Sequence, residues 1–169
     1  NLGKNPIHKF MVGDVRDKDR LNLAIRDVDI VYHAAAMKHI DICEYNPFDA
    51  VKTNVVGTSN ILEASIIQGV KKFVFISTDK ATNPTSTLGG SKLLAERLTL
   101  DASTYVKNGK TKFAIVRFGN VIGSRGSVFQ IFQNQIKMKK PLTVTDKRMT
   151  RFIMSISEAS SMILKVTKT

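Results

Sequence analysis

The sequence has little cysteine and histidine, and this scarcity excludes two common kinds of structural support. Its 169 residues contain one cysteine, Cys43, which rules out an internal disulfide and is typical of a reducing compartment. One cysteine and three scattered histidines give no pattern of metal ligands, so we predict no metal site. With 43% hydrophobic and 24% charged residues, the chain has the composition of an ordinary globular protein with one core.

Two features of a complete chain are missing at the amino terminus. The sequence begins with Asn1 rather than methionine, and no glycine-rich phosphate-binding turn precedes the first predicted strand. It contains no signal peptide and no apolar run of membrane-spanning length. We therefore interpret the chain as a fragment cut on its amino-terminal side, and this interpretation leaves room for an upstream membrane anchor.

Acidic residues are scarce relative to basic ones. There are 14 of them against 26 lysines and arginines, which gives a formal net charge of +12. This excess reflects either a lysine-rich source composition or attraction of polyanionic ligands. The lysines are scattered, with no aromatic-basic interleaving and no helix-turn-helix pattern, so we predict no nucleic-acid binding.

Apolar runs separated by amphipathic helices dominate the middle of the chain. The runs at 28–33, 73–76 and 113–117 lack polar alternation, which is typical of parallel strands buried on both faces. They predict a doubly wound, Rossmann-like α/β sheet that lacks its first strand and has right-handed crossovers. Further strands are predicted at 8–12 and 142–145, and helices at 16–26, 47–68, after Pro84, at 128–139 and from Ser157–Glu158.

Two of these helices have specific expected ends and faces. For helix 47–68, Pro47 is a favoured first-turn residue and Gly69 the expected stop. Its apolar stripe is predicted to contain Val51, Val55, Leu62 and Ile66. The helix after Pro84 is predicted to bury Leu94, Leu98, Ala102 and Tyr105, and to be followed by a turn at Asn108-Gly109.

Polar residues follow the apolar run at 73–76 at the point where that strand should end. Ser77, Thr78, Asp79 and Lys80 would lie at the carboxyl end of a parallel strand, where α/β proteins place their chemistry. The following helix places Leu88 and Lys92 one turn apart on the same face. We interpret this cluster as a candidate active site. From spacing alone, a solvated Asp-Lys pair in a loop is the slightly favoured explanation.

The run Ser77-Thr78-Asp79-Lys80-Ala81-Thr82-Asn83-Pro84 resembles the catalytic segment of UDP-N-acetylglucosamine 4,6-dehydratases. These enzymes are extended short-chain dehydrogenase/reductases of the polysaccharide-biosynthesis (capsule and flagellin-glycan) group. The resemblance extends from Gly13-Asp14-Val15 to Arg148-Met149-Thr150-Arg151-Phe152. The chain departs from the family at one place, because Leu88 stands where many members have a tyrosine.

The resemblance implies a role for each residue of the cluster. Asp79 is expected to act as the acid and Lys80 as the base, with Thr78 close to the 4-hydroxyl of the sugar. Lys92 is expected to contact the nicotinamide ribose. The other implied cofactor-binding residues are Asp14, Val15, Ala34, Ala35, Ala36, Lys38, Asn54, Ser77 and Val121.

Beyond Gly119 the pattern changes to a glycine-rich loop that resembles the substrate loop of the same family. The resemblance assigns substrate contacts to Asn120, Arg125, Thr150 and Arg151. We divide the chain into a partial dinucleotide-binding Rossmann domain at 1–118 and the start of a substrate-binding part at 119–169, which together form one continuous unit.

The resemblance therefore predicts an NADP(H)-linked 4,6-dehydratase of a UDP-N-acetylhexosamine, with NAD as the alternative cofactor. One competing interpretation is a UDP-sugar 4-epimerase of the same superfamily. The other is a non-catalytic nucleotide-binding regulator, suggested by Leu88. The expected partners are a UDP-sugar and further copies of the chain, in the cytoplasm or on a cytoplasmic domain of a membrane-anchored protein.

Overall fold

The centre of the fold is a three-stranded parallel sheet in which the strands lie in the order β1-β2-β3. The computed structural model describes residues 7–106, 110–123 and 128–168. The strands are β1 (Ile30–His33), β2 (Lys72–Thr78) and β3 (Lys112–Phe118). Helices precede, connect and follow them: α1 (Lys18–Ala24), α2 (Ile40–Tyr45), α3 (Pro47–Ala50), α4 (Gly57–Ile67), α5 (Thr87–Asp101), α6 (Val128–Lys137) and α7 (Ile156–Lys168). The predicted doubly wound α/β class is confirmed.

The central strand β2 is covered on both faces. Phe73 and Phe75 point to one face, where they are fully buried in a cluster with residues of α4 and α5. Burying each phenylalanine contributes about 1.5–3 kcal/mol. The opposite face is covered by α7, because the Tyr32 hydroxyl bonds Thr167 Oγ1 at 2.9 Å and Lys72 Nζ donates to Thr167 O at 2.6 Å. Two covered faces explain why the run contains no polar alternation.

The predicted helix 47–68 is confirmed with an internal irregularity. Its first turn, α3, is followed by a π-helical segment, Val51–Val56, and then by α4. The helix ends at Gly69, whose φ of +69° is the left-handed conformation that glycine adopts without strain. The apolar stripe is only partly buried, since Leu62 is in the core while Val51 is 44% exposed.

The predicted buried face of α5 is only partly confirmed, since Leu98 packs against the core as expected. Leu94 is 55% exposed and Tyr105 is 69% exposed, although Ala102 is buried as expected. The face that packs inward instead carries the polar residues Ser91, Lys92, Glu96 and Thr99, besides Leu88 and Ala95. These polar groups find hydrogen-bond partners inside the protein, which removes the penalty that normally keeps them on the surface.

Two predicted strands do not form. Residues 8–12 and 142–145 are exposed coil, and no described strand lies beside either of them to complete a ladder of hydrogen bonds. Alternating or apolar sequence is insufficient for a strand when no neighbouring strand is available. The predicted Asn108-Gly109 turn lies outside the described residues.

A second, unpredicted sheet joins the end of the third strand to the chain before α7. Its strands β4 (Asn120–Val121) and β5 (Ile153–Met154) are parallel. Glycine is required at Gly119, because a Cβ there would lie 2.5 Å from Phe152 O. The helix predicted from Ser157–Glu158 is confirmed as α7, which is preceded by a capping box: Ser155 N donates to Glu158 Oε2 at 2.7 Å and Glu158 N donates to Ser155 Oγ at 3.2 Å.

Candidate active site

A cavity of about 500 Å³ lies at the carboxyl ends of the strands. It brings together nine of the residues predicted from the sequence: Ala34, Ala36, Lys38, Ser77, Thr78, Lys80, Lys92, Asn120 and Val121. Leu88 and His39 also line it. A single cavity thus collects residues from the ends of all three strands and from α5, as expected for a ligand site in a parallel sheet.

A second cavity of about 690 Å³ adjoins the first on the far side of Lys80. Lys80 lines both cavities, whereas Asp79 lines only the second. Two predicted substrate residues, Thr150 and Arg151, lie in the second cavity with Glu44, Asn83, Thr85 and Ser86. The site therefore has two compartments, and the Asp79–Lys80 turn lies between them.

The residues that follow β2 form a short 3₁₀ turn, Asp79–Ala81. Lys80 Nζ donates a hydrogen bond to Asp79 Oδ1 at 3.0 Å, and Thr78 Oγ1 donates to the same oxygen at 3.0 Å. Burial raises the pKa of the Asp79 carboxyl, but the bonds from Lys80 and Thr78 outweigh it, so this pKa lies below its ordinary value. Asp79 is therefore a carboxylate at neutral pH, and the pair is neither fully solvated nor fully buried, with side chains 27% and 33% exposed.

The turn approaches α5 so closely that only glycine fits at the contact. A Cβ on Gly89 would lie 2.6 Å from Lys80 O and 3.1 Å from Pro84 Cβ. The neighbouring Gly90 has open space around it. Gly89 thus sets how near the polar turn can lie to the helix that carries Lys92.

Lys92 is buried against the end of β2, and only 7% of the residue is exposed. Its ammonium donates to Ile76 O at 2.8 Å and lies 4.5 Å from the centre of the Phe75 ring. Burial lowers its pKa to about 8, although the negative charge of Glu96 opposes that shift. A buried lysine with a depressed pKa at a cavity wall is typical of a functional site.

A buried carboxylate that the sequence reasoning missed lies one helical turn beyond Lys92. Glu96 accepts a hydrogen bond from Ser77 Oγ and two from Arg117, Nε at 2.8 Å and Nη2 at 2.6 Å. Arg117 Nη1 also donates to Thr82 Oγ1 at 3.2 Å. The sequence could have indicated this contact only through strand alignment, because Ser77 and Arg117 are register partners at the ends of β2 and β3.

A second missed residue is His33, which is almost completely buried at the end of β1. Burial, and secondarily the charge of Lys92, lowers its pKa to about 4, so the ring is neutral. Thr58 Oγ1 donates its proton to Asn54 O at 2.7 Å, so His33 Nε2 must be the donor in its 2.9 Å bond to Thr58. A neutral ring adds no second positive charge beside Lys92.

Four predicted cofactor residues do not line either cavity: Asp14, Val15, Ala35 and Asn54. Asp14 binds Arg16, whose hydrogen bonds to the carboxylate lower the pKa of Asp14 to about 2. Asn54, in the π-helical segment, accepts from Met37 N at 2.8 Å and donates to Met37 O at 3.1 Å. Asn54 thus fixes the backbone just after Ala36, and it acts on the cavity from behind its wall.

Three further expectations concern Arg125, metal binding and membrane-spanning helices. The predicted substrate contact Arg125 lies outside the described residues. In the described ranges, no cluster of histidine, cysteine, aspartate or glutamate residues could hold a metal ion. Nor do these ranges contain a helix of the length and apolarity that crossing a bilayer requires.

The fold and the position of the site define a Rossmann-like α/β domain with a candidate ligand site at the carboxyl ends of its parallel strands. The sequence profile described as "Polysaccharide biosynthesis protein" matches residues 3–169. The chain belongs to this polysaccharide biosynthesis family.

Curated relatives carry different descriptions. The chain is 58% identical over 157 residues to an uncharacterized membrane protein of Methanocaldococcus jannaschii. This match covers 93% of this chain and 47% of the relative. It is 47% identical over 160 residues to the UDP-N-acetylglucosamine 4,6-dehydratase (inverting) of Campylobacter jejuni, a match that covers 94% of this chain and 48% of that enzyme. A UDP-glucose 4-epimerase of Rickettsia bellii is 44% identical over 160 residues, a match that covers 95% of this chain and 47% of the epimerase. The chain spans about half the length of these relatives.

Solved structures agree closely with the fold. Pen from Bacillus thuringiensis superposes with a TM-score of 0.94 at 47% identity, covering 98% of this chain and 51% of that one. The UDP-glucuronic acid 4-epimerase of Bacillus cereus, solved with UDP-glucuronic acid and NAD, superposes with a TM-score of 0.89 at 26% identity, covering 99% and 58%.

Proposed function

We propose that the protein containing this chain catalyses the 4,6-dehydration of a UDP-N-acetylhexosamine of the UDP-N-acetylglucosamine type, yielding a 4-keto-6-deoxy sugar. One observation carries the proposal. The paired Asp79 and Lys80 side chains lie at the boundary of two cavities, and the buried Lys92 lines the first of them. Dehydration needs an acid and a base on neighbouring carbons of one substrate, and this pair offers both.

The cavity has features that suit a nicotinamide dinucleotide. The small side chains of Ala34 and Ala36 at the end of β1 let a ligand lie against the backbone, and Lys92 adds an amino group. We propose NADP(H), with NAD(H) as the alternative. A bound nicotinamide would supply reversible hydride chemistry between C4 and C6 of the sugar, so no external oxidant would be needed.

Between these two hydride transfers, Asp79 and Lys80 remove water from the 4-keto sugar. Lys80 takes the proton from C5, and Asp79 gives a proton to the hydroxyl that leaves C6, so one molecule of water departs. A proton returned to C5 by Lys80 and a hydride added at C6 would complete the 4-keto-6-deoxy sugar. In the ligand-free chain the carboxylate is ionised and Lys80 donates to it at 3.0 Å, so before elimination Lys80 must become a free amine and Asp79 must gain a proton.

Leu88 cannot accept the proton of the 4-hydroxyl, so another group must. The Thr78 hydroxyl is the best placed, because it lines the first cavity and already donates to Asp79 at 3.0 Å. A proton taken by Thr78 can thus pass to the Asp79 carboxylate, which needs one for the next step. A water held by Lys92 is the remaining alternative.

For the nucleotide-sugar, we propose contacts with Asn120, Thr150, Arg151 and Arg125. Asn120 Oδ1 is buried and has no hydrogen-bond partner among the described residues, although the residue lines the first cavity. Such an orphaned acceptor is costly unless a ligand donates to it. Arg151 provides positive charge for a diphosphate. We keep residues 119–169 as the start of the substrate-binding part.

Two other functions remain in competition. A 4-epimerase is favoured by the 44% identity with the Rickettsia protein, but an epimerase needs no acid-base pair at C5 and C6. A nucleotide-binding regulator is favoured by Leu88. We also propose a homo-oligomer located in the cytoplasm or on a cytoplasmic domain of a membrane-anchored protein.

The test is the reaction of the full-length protein with UDP-N-acetylglucosamine in heavy water. We expect a 4-keto-6-deoxy product that carries deuterium at C5. Purified product incubated without enzyme corrects for spontaneous exchange beside the ketone. A product that is only the C4 epimer, with no C5 label, would show the assignment of Asp79 and Lys80 to be wrong. Lys80→Ala should abolish elimination and leave cofactor binding largely intact.

A further inference from the structure

Two charged residues outside the assigned cluster contact the candidate catalytic segment, one at each of its ends. Glu96, with a side chain only 5% exposed, and Arg117 form a two-pronged ion pair through Nε and Nη2 of the arginine. The pair bridges α5 to the end of β3. A paired arginine fork fixes direction as well as distance, which a lysine cannot do.

The pair also holds both ends of the polar segment that follows β2. At the near end, Ser77 Oγ donates to Glu96 Oε1. At the far end, Arg117 Nη1 donates to Thr82 Oγ1 at 3.2 Å, one residue beyond the Asp79–Ala81 turn. The segment between these two anchors contains Thr78, Asp79 and Lys80.

We propose that Glu96 and Arg117 are positioning residues: they form a brace that fixes the Asp79–Ala81 turn so that both polar side chains reach one substrate. The inference rests on the proposed dehydration for its effect on rate, but the brace itself is a property of the fold. Removing the turn's constraint misplaces the acid and the base together, and misplacement by about 1 Å can cost about 100-fold in rate.

The brace can be tested without any reaction. Hydrogen exchange of the full-length protein, followed by mass spectrometry, reports local opening of the peptide that spans residues 78–82. We expect Thr82→Val, which removes only the Arg117 contact, and Arg117→Lys, which removes the fork but keeps the charge, to accelerate exchange there at least about threefold. The matched control is Glu63→Gln, because Glu63 forms an ion pair of 2.7 Å with Lys18, where both side chains are 48% exposed.

The second arm measures dehydration by the same variants. We expect Arg117→Lys and Glu96→Gln to lower kcat about 10- to 100-fold, and Thr82→Val about 3- to 10-fold, with KM for the UDP-sugar changed less than about threefold. Glu63→Gln should match the parent. Thr82→Val and Arg117→Lys keep the test decisive if Glu96→Gln folds poorly.

The outcomes separate the brace from the reaction. Unchanged exchange in Thr82→Val and Arg117→Lys would overturn the brace. Faster exchange with kcat within twofold of the parent would overturn the positioning role. If the parent protein does not dehydrate the sugar but the variants loosen residues 78–82, the brace stands and only the proposed reaction fails.

Discussion

Lys92 is hydrogen-bonded to the backbone of the strand that it supports: its ammonium donates to Ile76 O at 2.8 Å. Ile76 directly precedes Ser77, so the helix holds the strand end through a charged group. The same bond fixes the direction of the ammonium at the cavity wall. Burying this charge costs stability, because its pKa falls from 10.5 to about 8.

The first prediction concerns stability and pH. Between pH 8 and 10.5 the unfolded chain holds more protons at Lys92 than the folded chain, so the destabilisation is complete below pH 8 and disappears toward pH 10.5. Lys92→Met should therefore stabilise the full-length protein at pH 7, by about 2–3 kcal/mol more than at pH 10. Denaturant unfolding of variant and parent at both pH values measures this difference. A difference that does not vary with pH would contradict it.

The second prediction separates two adjacent glycines on α5. Gly89→Ala should destabilise the protein by about 1–2 kcal/mol and sharply reduce turnover, because the new Cβ displaces Lys80 O. Gly90→Ala is the matched control and should stabilise by up to about 1 kcal/mol through helix propensity. Thermal unfolding and dehydration rates of the two variants measure both effects. Equal unfolding temperatures and dehydration rates in the two variants would show that the close approach of turn and helix is unimportant.

The third prediction concerns Leu88, which is 5% exposed and packs with Cys43, Ala50 and Met37. If it only shapes the pocket, Leu88→Met should cost less than about 1.5 kcal/mol in stability and leave turnover within about threefold. Leu88→Tyr provides the opposing test. Activity gained by Leu88→Tyr from an inactive parent would favour the regulator.

The fourth prediction separates the two compartments of the site. Asp79→Asn should lower kcat about 100- to 10,000-fold, because it removes the acid, while the affinity for the cofactor stays unchanged. Asp79 lines only the second cavity, whereas Lys92 lines the first. Lys92→Met should therefore weaken cofactor binding as well as turnover. Cofactor titration by fluorescence alongside rate measurements distinguishes the two; a parallel loss of affinity in Asp79→Asn would argue against separate compartments.

The parallel strands and the polar turn after β2 could be predicted because both depend on local pattern. A run without polar alternation that ends in Ser77, Thr78, Asp79 and Lys80 indicates a buried parallel strand and the site at its end. The position of Lys92 followed from helical spacing. These features need no knowledge of which distant residues meet.

The remaining features depend on contacts between distant parts of the chain. Glu96 and Arg117 look like surface charges until β2 and β3 are placed in register, and only then do they have buried partners. The exposure of Leu94 and Tyr105 was missed for the same reason, because apolar spacing was followed where the buried positions hold paired polar groups. The six-residue helix α2 was missed because it is too short to establish a period.

The short β4–β5 sheet determines which segment of the chain can change in length or sequence without moving the candidate site. It ties Asn120 to Ile153 and Val121 to Met154, so the chain between 122 and 152 begins and ends at fixed neighbouring points. The entropy of closing such a loop grows only slowly with its length. Insertions or replacements within that interval can therefore change the second cavity, which Thr150 and Arg151 line, while the strand ends and the Asp79–Ala81 turn keep their places. Segment exchange between relatives, with cuts inside the interval and both strands retained, offers a direct route to new specificities.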